Sequence, residues 1–531
     1  MLVIHNARIY TQNPAQPFAT ALAIDQGSLL AVGQDDQILP AFVTSKSLNA
    51  NGSVIIPGLT DAHIHLEDYA FAQQKINCET ETREECLQRL AERVITARPG
   101  EWVMGHGWNQ NKWPEGYGDA SMLDEICPHN PVFLTHKSLH SAWVNTTALH
   151  LAGIDRNTPD PPGGRIRHDD LGEPDGILYE SAVSLVEETI PEPNPDQVVQ
   201  ALRSIQPALW KFGLTGVHDF GPTRTFSALQ AMRTSQELKL RVVKSIPSDN
   251  LSEAITSGLH TGFGDEMLQI GSLKLFADGA LGPQTAAMLQ PYEANPHNRG
   301  MLMLDAQELY GIGKVAVGSG ISLAVHAIGD RANRDVLDAY AQIRQYERSI
   351  PPPSSSLLRH RIEHVQVVHP DDLHRFSELD IIASMQPLHA TSDMHMADRH
   401  WGERSAFAYA WRSLLSHGSM LIFGSDAPVE TPNPFLGIHA AVTRRPANDS
   451  STSPGWYPQQ CLSVAEAIRA YTAGPARAAQ MELRLGQLTA GYLADLIIVN
   501  DDPYLCPAEE LANIHSEATM VGGEWVYTRL E

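Results

Sequence analysis

The chain has 531 residues, of which 43% are apolar, and it carries a formal charge of −24. This length and apolar content suffice for a large core, and the acidic balance argues against nucleic acid or an anionic membrane as a partner. No apolar run approaches the ~18 residues needed to cross a bilayer, and no signal-peptide pattern opens the chain. The five cysteines are scattered and never form C-x-x-C, which argues against a disulfide framework or a thiolate zinc site. We therefore expect a cytoplasmic protein, and the composition does not identify its substrate.

Both ends of the chain have the pattern of short strands. Residues 21–24 and 28–32 are apolar runs on either side of an Asp25-Gln26-Gly27 turn, and residues 494–499 and 520–527 look similar. Strands this short do not form a stable domain at either end alone. We therefore predict that residues 1–54 and 480–531 pair into one small β-sandwich domain, with residues 55–479 between them.

Apolar strands alternate with helical patterns through the middle of the chain, which is typical of an α/β protein with a parallel sheet. Eight predicted strands end near His65, Phe220, Ile246, Ala277, His326, His364, Met385 and Asp426. Eight β/α units favour a (β/α)8 barrel of the TIM type, with an open doubly wound sheet as the alternative. Residues 99–195 interrupt the alternation of strands and helices, and we predict that they form an insertion covering the barrel mouth.

The first barrel strand ends in His63-Ile64-His65. On a strand, the i, i+2 spacing points both imidazoles to the same side, and imidazole suits Zn, Fe, Ni or Cu. Alone, such a pair is a weak signal in a chain with 23 histidines. Further potential ligands follow at the ends of later strands: Lys274, His326, His364 and Asp426. Because parallel barrel strands end at one face, we predict a metal-binding cluster there.

Three strings resemble the amidohydrolase superfamily of metal-dependent hydrolases. They are PGLTDAHIH at 57–65, RIEH at 361–364 and GSDAP at 424–428. Further strings, KLFADG at 274–279, HAIGDRA at 326–332 and MQP at 385–387, are similar to amidohydrolase family 3, the YtcJ-like branch that includes N-substituted formamide deformylases. The resemblance extends over almost the whole chain.

The resemblance implies a set of metal ligands. His63, His65 and Asp426 would hold one metal ion, and His326 and His364 a second. Lys274 would bridge the two ions after carboxylation by CO₂, because a plain ammonium repels a cation. An unmodified Lys274 would instead form a salt bridge or bind substrate, beside a single metal ion. The expected cofactor is therefore one or two divalent ions, with zinc preferred and Fe, Mn and Ni also compatible with these ligands.

The resemblance also implies a small-molecule substrate and hydrolysis of a C–N bond outside peptides, in an amide, an N-acyl amine or an N-formyl amine. Water activated by the metal as hydroxide would attack the carbonyl carbon, and Asp426 would carry the proton to the departing amine. The alternatives are a cyclic amidase or deaminase of the same superfamily, and a regulatory homologue without catalysis. The oligomeric state stays open, with a homodimer as one option.

Four further residues are candidates for substrate binding. His389 and Asp393 follow the seventh predicted strand, whereas Trp108 and His140 belong to the inserted segment. His140 resembles a family position often preceded by glycine, which is Leu139 in this chain. An aromatic wall that includes Trp108 would favour an apolar substrate group.

Overall fold

The computed structural model describes residues 1–137, 140–293, 295–350, 357–449 and 453–529. The chain divides into two compact units, one formed by Met1–Tyr69 and Val198–Glu531 and the other by Ala70–Gln197. The second unit begins before the predicted insertion at 99–195, because strand Ile76–Asn77 pairs with strand Val103–Trp108. That residues 99–195 cover the barrel mouth stays a prediction.

Within the described ranges, eight parallel strands of the first unit form a barrel in which each strand pairs with the next one along the chain. The strands are Leu59–Ile64, Leu214–Asp219, Arg241–Pro247, Leu268–Phe276, Leu323–Ala327, Arg361–His364, Ile382–Met385 and Leu421–Phe423. The predicted (β/α)8 class is confirmed, and the open doubly wound alternative is wrong. The barrel closes where Ile64 pairs in parallel with Ala427, just beyond the eighth strand.

Hydrogen bonds hold this closing seam between the first and eighth strands. The buried Asp61 carboxylate accepts the backbone amide of Ser425 at 3.0 Å and its hydroxyl at 2.5 Å. Along the backbone, the Asp426 amide donates to the His63 carbonyl at 2.7 Å, and the His65 amide to the Ala427 carbonyl at 3.0 Å. The burial of Asp61 raises its pKa to about 7. The seam therefore lies directly at three of the predicted metal ligands, His63, His65 and Asp426.

The apolar run that leads to His63 is two strands rather than one. Val54–Pro57 belongs to a sheet outside the barrel, where it pairs with Leu496–Val499, and Leu59–Ile64 starts the barrel. The break is at Gly58, where a Cβ atom would collide with the side chain of Thr215. A glycine is therefore required where the chain passes from one sheet to the other.

The described ends of the chain form two small sheets. The four-stranded sheet has the order Ser28–Gly33, Ala21–Asp25, Leu2–His5, Lys46–Asn49. The six-stranded sheet has the order Glu524–Thr528, Ser516–Val521, Leu496–Val499, Val54–Pro57, Arg8–Tyr10, Phe18–Ala19. One apolar cluster joins buried residues of both sheets, including Ile4, Leu22, Ile55, Ile498 and Met520. Both ends of the chain thus contribute to one small β structure.

Helices surround the barrel strands in the first unit. Their bounds are Leu66–Gln74, Pro195–Lys211, Thr223–Thr234, Leu251–Thr256, Ala306–Gly318, Asp330–Ser349, Arg375–Glu378, Pro387–Trp401, Trp411–Ser416, Pro434–Thr443, Val464–Ala470 and Ala473–Ala478. A further helix, Asp35–Ala41, packs against the four-stranded sheet instead. In Asp330–Ser349, Val336, Leu337, Tyr340 and Ile343 lie on one helix face and are buried. Of the helices in the described residues, none combines the length and apolar character that crossing a bilayer requires.

The second unit is a six-stranded mixed sheet with helices. The strand order is Gly164–His168, Pro174–Glu180, Ser141–Val144, Val132–His136, Val103–Trp108, Ile76–Asn77. The helices that lie wholly within this unit are Arg83–Val94, Ala120–Ile126, Thr146–Leu151 and Ser181–Glu187. Trp108, Trp113 and Trp143 are buried together in the core of this unit.

We expect the stability of the protein to fall as the pH drops from about 6.5 to about 4, and buried His360 is one cause. Its Nδ1 accepts the backbone amide of Leu323 at 3.0 Å, and burial lowers its pKa from 6.5 to about 4. Between these values the unfolded chain binds a proton that folded His360 does not, which costs about 3 kcal/mol of stability once the pH reaches 4.

Denaturant unfolding at pH 7 and pH 4.5 tests this expectation. His360→Asn keeps an acceptor for the Leu323 amide but does not titrate, so the variant should lose less stability between the two pH values than the wild type. Equal losses in the two proteins would show that His360 does not contribute.

Candidate metal centre

The structure brings together the six residues predicted as metal ligands at the carboxyl end of the barrel strands. Their strand positions are the end of the first strand for His63 and His65, the fourth strand for Lys274, the fifth for His326, the end of the sixth for His364, and the turn after the eighth for Asp426. The His364 ring lies 4.9 Å from that of His63 and 4.6 Å from that of His326 between centroids. The six side chains therefore lie at one end of the barrel, and their binding of metal stays a prediction.

His63, His65 and Asp426 converge on one point. Asp426 Oδ1 lies 3.4 Å from His63 Nε2 and 3.2 Å from His65 Nε2. In a tetrahedral zinc site with bonds of 2.0–2.1 Å, two ligand atoms are about 3.3 Å apart. His63 Nε2 is also buried and, within the described part of the chain, has no hydrogen-bond partner. An imidazole nitrogen in this state fits a divalent metal ion.

Glu363 and Arg361 fix the orientation of His63. His63 Nδ1 donates to Glu363 Oε2 at 2.6 Å, so Nε2 carries the lone pair that faces Asp426. Arg361 pairs with the same carboxylate and donates to the Ala62 carbonyl and the Ser384 hydroxyl. Burial alone would raise the pKa of Glu363, but Arg361 and His63 hold that pKa well below its usual value. Glu363 is therefore an ionised, fully buried acceptor.

His326 and His364 are also oriented by hydrogen bonds. His364 Nδ1 donates to Gln386 Oε1 at 2.9 Å, and His326 Nε2 donates to the Gly279 carbonyl at 2.9 Å. Each ring therefore keeps its other nitrogen unprotonated and available as a ligand. Burial, followed by the charge of Lys274, lowers the pKa of His326 to about 4. Neutral imidazole is the form that binds metal.

Two of these residues occupy the left-handed backbone region, where non-glycine residues are uncommon. His364 has φ of 73° and Asp426 has φ of 60°. Such conformations occur at active sites and ligand clamps, where the surrounding structure holds them in place. His364 is the last residue of the sixth strand and Asp426 lies in the turn after the eighth, so the backbone turns at the positions of the predicted ligands.

Lys274 is buried beside this group. Its ammonium lies 4.8 Å from the Phe220 ring centre and 4.9 Å from that of Phe276, and Phe220 in turn stacks on His63. Burial lowers the pKa of Lys274 to about 8, and no carboxylate among the described residues lies within 4.0 Å of the ammonium. A lysine with this pKa is about one-tenth neutral amine at pH 7. Neutral amine is the form that reacts with CO₂.

The four predicted substrate-binding residues lie in different surroundings. His389 is buried, and its Nε2 is 3.9 Å from Asp426 Oδ2, whereas the Asp393 carboxylate accepts the Tyr409 hydroxyl at 2.6 Å. Trp108 is in the core of the second unit, and exposed His140 pairs there with Glu180 at 2.9 Å. Substrate binding by these residues stays a prediction.

Sequence reasoning did not assign a role to Glu363 or Arg361, although both belong to the RIEH string. The available signal was a pair of opposite charges inside a strand otherwise expected to be buried, because buried charges are normally paired. Gln386, which accepts a hydrogen bond from His364, belongs to the MQP string, and no role was predicted for it either. His218, at the end of the second strand, accepts a hydrogen bond from Arg361 at 2.9 Å.

Comparisons with known proteins agree with this geometry. The model described as "Amidohydrolase family" matches residues 46–527. Putative amidohydrolase YtcJ of Bacillus subtilis (strain 168) is 31% identical, with 99% of both chains covered. N-substituted formamide deformylase of Arthrobacter pascens is 27% identical, over 99% of this chain and 98% of that one. An uncharacterized metal-dependent hydrolase from Pyrococcus furiosus has a TM-score of 0.78 at 27% identity, over 95% of this chain and 99% of that one. The predicted resemblance is confirmed.

Proposed function

Because this chain belongs to the amidohydrolase family, we propose that it is a metal-dependent hydrolase of C–N bonds outside peptides, acting on an N-formyl or other N-acyl amine. The observation that carries the proposal is the buried, unpartnered Nε2 of His63 within the described residues, 3.4 Å from Asp426 Oδ1. The full-length similarity to a formamide deformylase supports the choice of bond. We infer zinc as the metal, held by His63, His65 and Asp426, because imidazole and carboxylate are ordinary zinc ligands.

A divalent metal at this site would polarise the substrate carbonyl and lower the pKa of water. Asp426 supplies the proton transfer. Burial alone would raise the pKa of Asp426, but the neighbouring histidines hold that pKa well below its usual value, so the carboxylate is free to accept a proton. It would take a proton from the attacking water and return it to nitrogen as the C–N bond breaks. The new C–O bond leaves a carboxylate, and the other product is an amine.

Lys274 is proposed to carry a carbamate. The carbamate forms when the neutral amine attacks CO₂ and loses a proton, which creates an N–C bond and an anionic group that can bind metal. Its burial between Phe220 and Phe276 and its lowered pKa support this step. Carbon-13 NMR of protein equilibrated with ¹³C-bicarbonate should show one carbamate resonance that Lys274→Met abolishes.

Amine release from a substrate panel tests the proposed function. We expect zinc-loaded protein to hydrolyse N-formyl or N-acetyl amines, to lose turnover with a chelator, and to regain it with Zn²⁺. Cyclic amides and aminopurines in the same panel report on the two superfamily alternatives. A protein that binds metal but hydrolyses none of these compounds would contradict the proposal and favour a regulatory role.

A further inference from the structure

His389 has a buried ring nitrogen without a hydrogen-bond partner in the described residues, and none of the roles assigned so far explains it. The residue lies in the first turn of helix Pro387–Trp401 and is 7% exposed. Its Nε2 is fully buried and makes no hydrogen bond within the part of the chain that the structure describes. Leaving a buried polar group unsatisfied costs about 1–3 kcal/mol, so this nitrogen requires an explanation.

The nearest acid to this nitrogen is Asp426. His389 Nε2 lies 3.9 Å from Asp426 Oδ2, which is too far for a hydrogen bond. Two ligand atoms of one tetrahedral zinc ion are about 3.3 Å apart, so the observed distance is roughly 0.6 Å longer than a shared ion requires. The two atoms are thus too far apart for a hydrogen bond, and a small side-chain rotation would bring both within reach of one ion.

His364 completes a second group of three. Its ring is nearly parallel to that of His389, with centroids 6.3 Å apart, and possible ligand atoms of His364, His389 and Asp426 all lie within 4.8 Å of one another. Gln386 accepts the Nδ1 proton of His364, so its Nε2 carries a lone pair. The two imidazoles are buried and the carboxylate is anionic, which is a suitable donor set for a divalent transition metal.

The two oxygens of Asp426 face different histidines. Oδ1 is close to His63 and His65, whereas Oδ2 points toward His389. A carboxylate in this position can be shared between two cations. His389 thus lies on the side of Asp426 that the first three-residue group does not use.

We propose that His389 is a ligand of a second divalent metal ion, together with His364 and Asp426. The proposal rests on the metal-dependent function above and adds a ligand from the helix that follows the seventh strand. It differs from the set that family resemblance implies, in which His326, His364 and Lys274 serve the second ion. His326 and Lys274 remain the ligands that the resemblance implies for the second ion, and the proposal makes His389 necessary for its tight binding.

Metal titration of the full-length apoprotein tests the proposal. Co²⁺ is the probe, because its visible absorption reports the coordination of each bound ion, and metal analysis after gel filtration gives the stoichiometry. Wild type should bind two equivalents. His389→Ala and His389→Gln should retain one tight equivalent and bind the second at least about 10-fold more weakly, since even outer partners of metal ligands contribute that much. His374→Ala, a substitution at an exposed histidine, should behave as wild type.

Two results would overturn the proposal. One is an unchanged Co²⁺ spectrum and two tight equivalents in His389→Gln, which keeps the size and polarity of the side chain. The other is that wild type binds only one Co²⁺ ion and that both His389 variants bind it with the same affinity. Either result leaves the proposed hydrolase intact if amine release continues. Failure of the hydrolase is separate, because it would appear as metal-loaded wild type without turnover.

Discussion

Asp426→Asn is expected to lower kcat by about 10²–10⁴-fold, the range typical of losing a general acid–base group. Asparagine has nearly the same shape, so the backbone hydrogen bond from residue 426 to the His63 carbonyl should persist. Its amide cannot accept a proton from water at neutral pH and is a weaker metal ligand than a carboxylate. Turnover of the best N-acyl amine, measured with saturating Zn²⁺, checks the expectation.

The matched control is His374→Ala, which removes an exposed histidine whose ring lies 3.7 Å from the Glu378 carboxylate. We expect its kcat to equal that of wild type. Thermal melting should show that Asp426→Asn is folded, since the seam also has the Asp61–Ser425 hydrogen bonds. An Asp426→Asn protein with more than about one-tenth of wild-type kcat would contradict the proton-transfer role, because that loss is smaller than the expected range.

Glu363→Ala is expected to weaken both the fold and metal binding. The substitution leaves Arg361 buried without its carboxylate, and removal of one partner of a buried ion pair costs about 3–5 kcal/mol. It also removes the acceptor that fixes His63, which should reduce metal affinity by about 10–100-fold. Denaturant unfolding of the apoprotein and Zn²⁺ competition titrations measure the two effects separately.

Two further variants separate charge from hydrogen bonding. Glu363→Gln keeps an oxygen that can accept from His63 Nδ1 but removes the charge that pairs with Arg361, so its Zn²⁺ affinity should exceed that of Glu363→Ala. The double variant Arg361→Met, Glu363→Ala removes both charges and should recover part of the lost stability. If the free energy of unfolding of Glu363→Ala is within about 1 kcal/mol of the wild-type value, the buried ion pair does not contribute the expected stability.

The sequence was sufficient for the barrel and for the residues at its strand ends. Each predicted ligand follows an apolar run, and parallel strands of a barrel all end at one face, so pattern alone placed His63, His326 and Asp426 near one another. The motifs then indicated the amidohydrolase family. The Asp25-Gln26-Gly27 turn could be predicted because a tight hairpin turn needs positive φ at its central residues. The structure gives φ of 47° at Gln26 and 79° at Gly27.

Other features depend on contacts that no local pattern records. The partner of His63, Glu363, is 300 residues away, and although its charge inside a buried strand called for a partner, the strand pattern does not say that His63 is one. The break between two strands at Gly58 was not predicted, because apolar residues continue on both sides of it. The second unit begins before residue 99 because a strand of only two residues, Ile76–Asn77, joins its sheet. Likewise, the approach of His389 to Asp426 depends on how a helix packs, which periodicity does not reveal.

The closing seam of the barrel also affects how the protein is made. Asp61 and Ser425 are 364 residues apart, so at 5–20 residues per second a ribosome needs roughly 20–70 s to supply the segment that closes the barrel on its first strand. Strand Val54–Pro57 waits longer for one of its two neighbours, because Leu496–Val499 is near the end of the chain. The other neighbours, Leu214–Asp219 and Arg8–Tyr10, are made earlier, so during this time one edge of each strand is unpaired on the nascent chain. We therefore expect the yield of folded enzyme to depend on chaperones that bind exposed strands during synthesis.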